Sequence, residues 1–291
     1  MKLCRYKSSD GVHLGIVNKS GTGIFRLENL GISVESLGQL IPDFPGREGL
    51  QAGLDGDGDD AIEEVEFLAP VDQPTGRIIC LGKNYREHAN EVQSLPGQSS
   101  GVPDAPIYFG KMVNRIVGPA EDVDVDLSGA CELDYEVEMA IVIGREAKNV
   151  SEDQAASLIF AYTVVNDLTD RAAQRRHQQW LKGKSIDNTF PMGPYWVLAD
   201  SVEFPPKRKI RSYVNEDLRQ EAETDDLLFS IPMILADLSK DFTLLPGDLI
   251  LTGTPAGVGM GFEPPKCLNS GDTVKCEIEG IGWLKNKIME I

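Results

Sequence analysis

The sequence predicts an α+β fold that is rich in β-structure. Apolar runs of strand length recur along the 291 residues, whereas segments with helical periodicity are few. Strands and helices do not alternate regularly, so a mixed sheet is favoured over a doubly wound parallel sheet. The length is enough for one large domain or about two ordinary ones.

The amino-terminal part predicts a small domain of its own. Residues 1–41 alternate short apolar runs with Gly and Ser turns, a pattern typical of small strands and hairpins. The proline-containing segment 70–74 then predicts a boundary. We therefore expect a small β-rich domain over residues 1–74 and a larger domain over residues 75–291.

An acidic run lies near the end of the small domain. Residues 51–66 carry seven acidic side chains and no basic one. Asp55, Asp57 and Glu66 stand at EF-hand loop positions 1, 3 and 12, but position 6, which requires Gly, is Asp60. The following segment begins like a strand rather than a helix. A solvated acidic loop is therefore a better interpretation than a calcium site.

The larger domain contains most of the predicted elements. Apolar runs predict strands over residues 77–81, 135–143, 161–166, 195–198 and 249–251. Capping residues and periodicity predict helices over 151–160, with Ser151 as N-cap, over 170–181, and over 231–238, with Ser230 as N-cap.

Composition excludes several classes of partner. Lys and Arg contribute 28 positive charges against 46 from Asp and Glu, a net charge of −18. This acidity disfavours nucleic acid and anionic membranes, both of which are bound through Lys and Arg. No apolar run approaches the roughly 20 residues of a transmembrane helix. No apolar signal segment follows Met1, so we expect a cytoplasmic protein.

Cysteine and histidine counts limit the chemistry further. The five cysteines are odd in number and include no Cys-x-x-Cys pair, which disfavours a disulfide framework and a zinc ribbon. We expect reduced, mostly buried thiols. With only three histidines, any metal site must depend on oxygen ligands, which points to Mg²⁺, Mn²⁺ or Ca²⁺.

Acidic residues in apolar strands are the strongest local signal. Glu136 and Glu138 begin a run that is apolar on both faces, and the period of two places them on one face, about 7 Å apart along the strand. They would repel each other unless a cation lay between them, and the alternative is an edge strand with both in water. Asp167 ends a second apolar strand, where it is either a third oxygen ligand or a helix cap. Three carboxylates would suit Mg²⁺ or Mn²⁺.

Two further segments carry polar groups suited to catalysis. Residues 249–261 form a Gly-rich stretch after a strand, but Pro255 interrupts it and no helix follows, which disfavours dinucleotide binding. We expect a tight loop whose N–H groups and Thr254 hydroxyl face an anionic ligand. His88 and Glu91 share a face if they lie on a helix, and a carboxylate that holds an imidazole can form a general base.

Together these segments resemble the fumarylacetoacetate hydrolase family, in its acylpyruvase and oxaloacetate decarboxylase-like branch. The resemblance extends from Arg77 to Asn286 and depends on six motifs in order. They are LGKNY at 81–85 with His88 and Glu91, DYEVE at 134–138, VNDLT at 165–169, GKS at 183–185, TGTPAGVG at 252–259 and GIG at 280–282.

The resemblance implies a mixed β-sheet roll, a homodimer and one Mg²⁺ or Mn²⁺ per subunit. The implied metal ligands are Glu136, Glu138 and Asp167. The implied catalytic groups are His88 and Glu91 of a mobile lid, together with Lys184. The implied substrate-binding residues are Tyr85, Arg171, Gln174 and Thr254.

Two departures from the family pattern affect this assignment. Ala172 stands where the family has an Asp, so a contact to Arg171 is either lost or supplied by Asp170. Asn215–Glu216 replaces the usual Asn-Gly turn. Substrate preference is the property most affected.

The implied activity is metal-dependent C–C bond cleavage of short 2-oxo acids through a pyruvate enolate. Hydrolysis of acylpyruvates and decarboxylation of oxaloacetate both pass through that enolate, and the sequence does not rank them. An isomerase or tautomerase is the alternative enzyme, and a partner-binding scaffold that retains the fold is the alternative outside enzymes.

Overall fold

The computed structural model describes residues 1–42, 44, 54–93, 101–128 and 131–291. Within them the strands are β1 (Lys2–Ser8), β2 (Gly11–Val17), β3 (Gly23–Arg26), β4 (Asp60–Ala61), β5 (Glu66–Phe67), β6 (Ile78–Gly82), β7 (Ile107–Gly110), β8 (Val123–Val125), β9 (Leu133–Asp134), β10 (Val137–Ile143), β11 (Ile159–Asn166), β12 (Thr169–Asp170), β13 (Met192–Leu198), β14 (Lys209–Val214), β15 (Asp217–Glu223), β16 (Leu249–Leu251), β17 (Thr273–Ile278) and β18 (Gly282–Glu290). The helices are α1 (Arg86–Val92), α2 (Arg171–His177), α3 (Leu181–Lys184) and α4 (Ile231–Asp241).

Most strands join one large mixed sheet. Its order is β4-β3-β2-β1-β13-β11-β10-β16-β6-β7, with β5 on β1, and β16 pairs with β6 in parallel while the other pairs are antiparallel. A second sheet has the order β15-β14-β17-β18-β8, and β9 pairs with β12 separately. The β-rich α+β class with a mixed sheet is thus confirmed.

The position of β10 explains the apolar character of both its faces. All seven of its residues are buried. Met139 and Ile141 pack in one core with β14, β17 and β18, whereas Ala140 and Val142 pack in a second core with Leu3 and Trp196. Since β10 lies between two cores, Glu138 within it is carried into the interior.

Two of the three predicted helices differ from expectation. Residues Glu152–Leu158 form a 3-10 helix after Ser151, because the next strand already begins at Ile159. The predicted helix over 170–181 is divided, since α2 ends before Gln178, whose φ is +60°. Helix α4 begins at Ser230 as predicted and continues to Asp241.

Both departures from the family pattern keep local order. Asn215 and Glu216 form the two-residue connection of β14 and β15, with φ of +50° and +74°, the backbone of a tight hairpin turn. The acidic segment before β5 is not simply solvated, because Asp60 accepts hydrogen bonds from Tyr6 and Arg26.

The amino-terminal strands continue the large sheet, since β1 pairs with β13. The boundary at residue 74 therefore stays a prediction. The five cysteines are free, and Cys4, Cys80 and Cys276 are buried. Among the described residues, none of the helices has both the length and the apolar character that a membrane crossing requires.

The β1–β13 pairing predicts that the two predicted domains unfold together. Leu3 is fully buried opposite Trp196, and Leu3→Ala should lower the free energy of unfolding by about 2–5 kcal/mol. Urea unfolding followed by circular dichroism and by tryptophan fluorescence should give one shared midpoint, shifted downward. Val12→Ala on exposed β2 is the control. Two separated transitions would instead indicate an independent amino-terminal domain.

Candidate metal centre

Three buried carboxylates meet at the centre of the large sheet. Glu136 lies just before β10, Glu138 is in β10, and Asp167 follows β11, whose register places Val137 opposite Asn166. One oxygen from each carboxylate lies within 4.8 Å of the others. Both alternatives from the sequence are therefore wrong: the glutamates do not lie in water, and the helix cap is Asp170 rather than Asp167.

Cationic side chains surround two of these carboxylates. Lys184 Nζ lies 2.7 Å from Glu136 Oε2 and 2.8 Å from Asp167 Oδ2. Arg171 Nη1 lies 2.7 Å from Glu136 Oε1, and Lys111 Nζ lies 2.7 Å from Asp167 Oδ1. Burial alone would raise the pKa of Glu136, but the charges of Lys184 and Arg171 bring it to about 2. Glu136 is therefore ionised at neutral pH.

Glu138 has a different environment. Its Oε2 accepts a 2.6 Å hydrogen bond from Gly253 N–H. Burial, followed by the charges of Asp167 and Glu136, raises its pKa well above the ordinary value. A cation bound among the three oxygens would offset this repulsion, and an all-oxygen donor set suits Mg²⁺ or Mn²⁺. The residues present therefore fit a hard divalent cation.

Helix α1 presents the predicted His–Glu pair. His88 Nδ1 lies 3.1 Å from Glu91 Oε2, at the i,i+3 spacing, so the predicted hydrogen bond is present. The other oxygen of Glu91 accepts from Gly257 N–H at 2.9 Å. Gly261 permits this contact, because an added Cβ would lie 2.3 Å from Glu91 Oε1. Glu91 thus connects the imidazole to the Gly-rich loop.

The N–H groups of the Gly-rich loop bind the protein's own carboxylates. Gly253 donates to Glu138, Gly257 to Glu91, and Gly259 and Met260 to Asp134. The expectation that these groups face a ligand is therefore wrong. Buried carboxylates need several donors each, and the loop supplies them.

The Thr254 hydroxyl is also engaged by the protein. It donates to Val137 O at 2.9 Å and accepts from Gln220 Nε2 at 2.7 Å. A contact between this hydroxyl and a substrate carboxylate would require the bond to Val137 to be exchanged.

A cleft of about 370 Å³ opens beside the carboxylates. Its lining includes His88, Glu136, Arg171, Gln174, Lys184 and Thr254. The side chain of Tyr85 is buried and lines a neighbouring cleft with Arg86 and Pro255. The structure thus brings the predicted site residues together around one cleft, with Tyr85 behind it.

Arg171 has one unused donor group. Its Nε donates to Asp134 Oδ2 at 2.8 Å, whereas Asp170 accepts from Ala172 N–H and Ala173 N–H as the cap of α2. The idea that Asp170 holds Arg171 is therefore wrong, and Asp134 has that position. Among the described residues, buried Arg171 Nη2 has no hydrogen-bond partner, so it is available to an anion in the cleft.

Four site residues were not predicted from the sequence. Lys111 and Asp134 hold Asp167 and Arg171, and Phe109 and Trp180 form part of the cleft lining. Asp134 stands directly before Glu136 in the quoted motif, and Lys111 directly follows a short apolar strand. Those positions were the available signals.

Comparison with known proteins decides the family. The family model for the carboxyl-terminal domain of fumarylacetoacetate hydrolase matches residues 77–289. The chain belongs to the fumarylacetoacetate hydrolase family.

Two curated members of the fumarylacetoacetate hydrolase family and one solved structure illustrate the similarity. Oxaloacetate tautomerase YisK of Bacillus subtilis is 43% identical over 78% of this chain and 74% of its own length. The human mitochondrial oxaloacetate tautomerase FAHD2A is 34% identical over 99% of this chain and 92% of its own. Maleylpyruvate hydrolase of Sphingobium sp. SYK-6, solved with manganese(II) and pyruvate, is 29% identical with a TM-score of 0.78, covering 100% and 99%.

The donor set predicts that Glu138 is needed for metal binding. Glu138→Gln removes one anionic oxygen without changing side-chain size, so Mn²⁺ affinity should fall by more than about 100-fold, since even outer contacts of metal sites matter that much. Titration calorimetry measures the affinity, with Glu64→Gln on the exposed surface as control. Unchanged Mn²⁺ affinity in Glu138→Gln would remove this carboxylate from the ligand set.

Proposed function

We propose that this chain is a divalent-metal-dependent enzyme that interconverts the keto and enol forms of oxaloacetate. The observation that carries the proposal is the buried carboxylate triad with Lys184 between two of its members. Both curated relatives described above bear the name oxaloacetate tautomerase, which supports the same reaction.

The cleft offers several groups that fit a 2-oxo acid. Glu136, Glu138 and Asp167 would hold Mg²⁺ or Mn²⁺, which supplies Lewis-acid polarisation of the 2-oxo group and its carboxylate when bound. Arg171 Nη2 would donate to a substrate carboxylate, because charged donors bind carboxylates strongly. Gln174 lines the cleft beside Arg171 and would orient the same end of the substrate.

Keto–enol interconversion moves one proton between C3 and the oxygen on C2 and breaks no C–C bond. With Nδ1–H of His88 donating to Glu91, Nε2 keeps its lone pair and can accept the C3 proton. The same nitrogen then returns that proton to the oxygen on C2. Glu91 stabilises the imidazolium that forms between the two transfers.

Lys184 provides charge rather than a base. Burial alone would lower its pKa, but the carboxylates of Asp167 and Glu136 raise the pKa above its ordinary value. It therefore stays an ammonium at neutral pH, and its positive charge stabilises the enolate oxygen.

C–C bond cleavage, the activity that the resemblance implied first, is the second candidate. The solved maleylpyruvate hydrolase with manganese(II) and pyruvate favours it. On a 2,4-dioxo acid, His88 with Glu91 would activate water for attack on the C4 carbonyl. On oxaloacetate, loss of CO₂ would give the same enolate and would need no water. A cytoplasmic homodimer is part of this proposal and can be checked by light scattering and cell fractionation.

Loss of His88 should remove the proton transfer. His88→Ala should lower kcat for decay of the enol absorbance of oxaloacetate by about 10²–10⁴-fold at saturating Mn²⁺, the usual contribution of a general acid–base group. Glu87→Ala, an exposed change on the same helix, is the control. A His88→Ala variant with nearly full activity would exclude the imidazole from the reaction.

Parallel assays should rank the candidate reactions. With Mg²⁺ or Mn²⁺ saturating, we expect oxaloacetate tautomerisation to exceed both oxaloacetate decarboxylation and acetylpyruvate hydrolysis in kcat/KM. His88→Ala should impair hydrolysis more than decarboxylation, because only hydrolysis needs an activated water. Faster acetylpyruvate cleavage would favour the second candidate, and absence of turnover with every substrate would favour the scaffold.

A further inference from the structure

One side of the cleft is aromatic. The rings of Phe109 and Trp180 meet edge to face, with centroids 5.1 Å apart, and Lys184 Nζ lies 5.4 Å from the Phe109 centroid. Trp180 in turn covers Gly82, where an added Cβ would lie 2.2 Å from Trp180 Cζ3. These contacts lead from Lys184, beside the carboxylates, to the end of β6.

Lys83 follows Gly82 and lines the same cleft. It is only 4% exposed, and its φ of +55° lies in the left-handed region that side chains other than Gly rarely adopt. Asn84 fixes this conformation, because its side chain donates to Thr252 O at 2.8 Å and accepts from Phe229 N–H at 2.8 Å. The surrounding structure thus stabilises a strained backbone that places a lysine in the cleft lining.

Lys83 adds a positive charge that the proposed proton transfer does not use. Arg171 and Lys184 both contact Glu136, at the carboxylate end of the cleft. Burial lowers the pKa of Lys83, so an anion within reach would favour its ammonium form.

We propose that Lys83 binds the distal carboxylate of a four-carbon 2-oxo dicarboxylate, and that Trp180, seated on Gly82, limits the length of the substrate. This inference rests on the proposed function and extends it to the substrate class. Lys83 is then a specificity-determining residue that distinguishes 2-oxo dicarboxylates from 2-oxo acids with a neutral tail.

Binding measurements test the role of Lys83 without depending on turnover. The Mn²⁺-loaded protein is titrated calorimetrically with pyruvate, which lacks a distal anion, and with 3-phosphonopyruvate, which carries one. Lys83→Met should weaken 3-phosphonopyruvate binding by about 10–100-fold, as expected for a lost charged hydrogen bond, and leave pyruvate within about twofold. Lys83→Arg should restore most of the affinity. Lys182→Met, an exposed change in α3, controls for net charge.

A second variant tests the role of Trp180. Trp180→Ala should bind 2-oxoglutarate, one methylene longer than oxaloacetate, about tenfold more tightly than the unchanged protein does.

Equal 3-phosphonopyruvate affinity in Lys83→Met and the unchanged protein would overturn the assignment, as would a parallel loss of affinity for pyruvate. Unchanged 2-oxoglutarate affinity in Trp180→Ala would overturn the length limit. If oxaloacetate is not tautomerised but the Lys83 pattern of affinities is found, the proposed function fails and the assignment of Lys83 stands.

Discussion

Burying three carboxylates within 4.8 Å of one another is unfavourable unless each negative charge meets a cation or a hydrogen-bond donor. Lys184 and Arg171 supply positive charge to Glu136, and Lys111 and Lys184 supply it to Asp167. Glu138 receives only a backbone N–H among these donors, and its raised pKa reflects that environment. The remaining deficit lies where a divalent cation would be bound.

The same requirement explains the Gly-rich loop and the helix that it contacts. The loop supplies N–H groups to Glu138, Glu91 and Asp134. Through Glu91 it orients His88, and through Asp134 it supports Arg171. One loop therefore positions the charged groups on three sides of the cleft, which links the fold of the large sheet to the chemistry of the site.

The predictions that succeeded depended on short sequence separations. The period of two placed Glu136 and Glu138 together, and the i,i+3 spacing placed Glu91 beside His88. Lys111 could not be assigned in this way, because its contact with Asp167 spans 56 residues and depends on where β7 ends relative to β11. The direction of the loop N–H groups was also unreadable, since periodicity does not report which carboxylates face a loop.

The account depends on a divalent ion held by all three carboxylates, and anomalous diffraction from crystals grown with Mn²⁺ tests this most directly. We expect one strong manganese peak, coordinated by an oxygen from each of Glu136, Glu138 and Asp167. A fully occupied manganese peak elsewhere, with these oxygens still bound to Lys184 and Lys111 alone, would contradict the account.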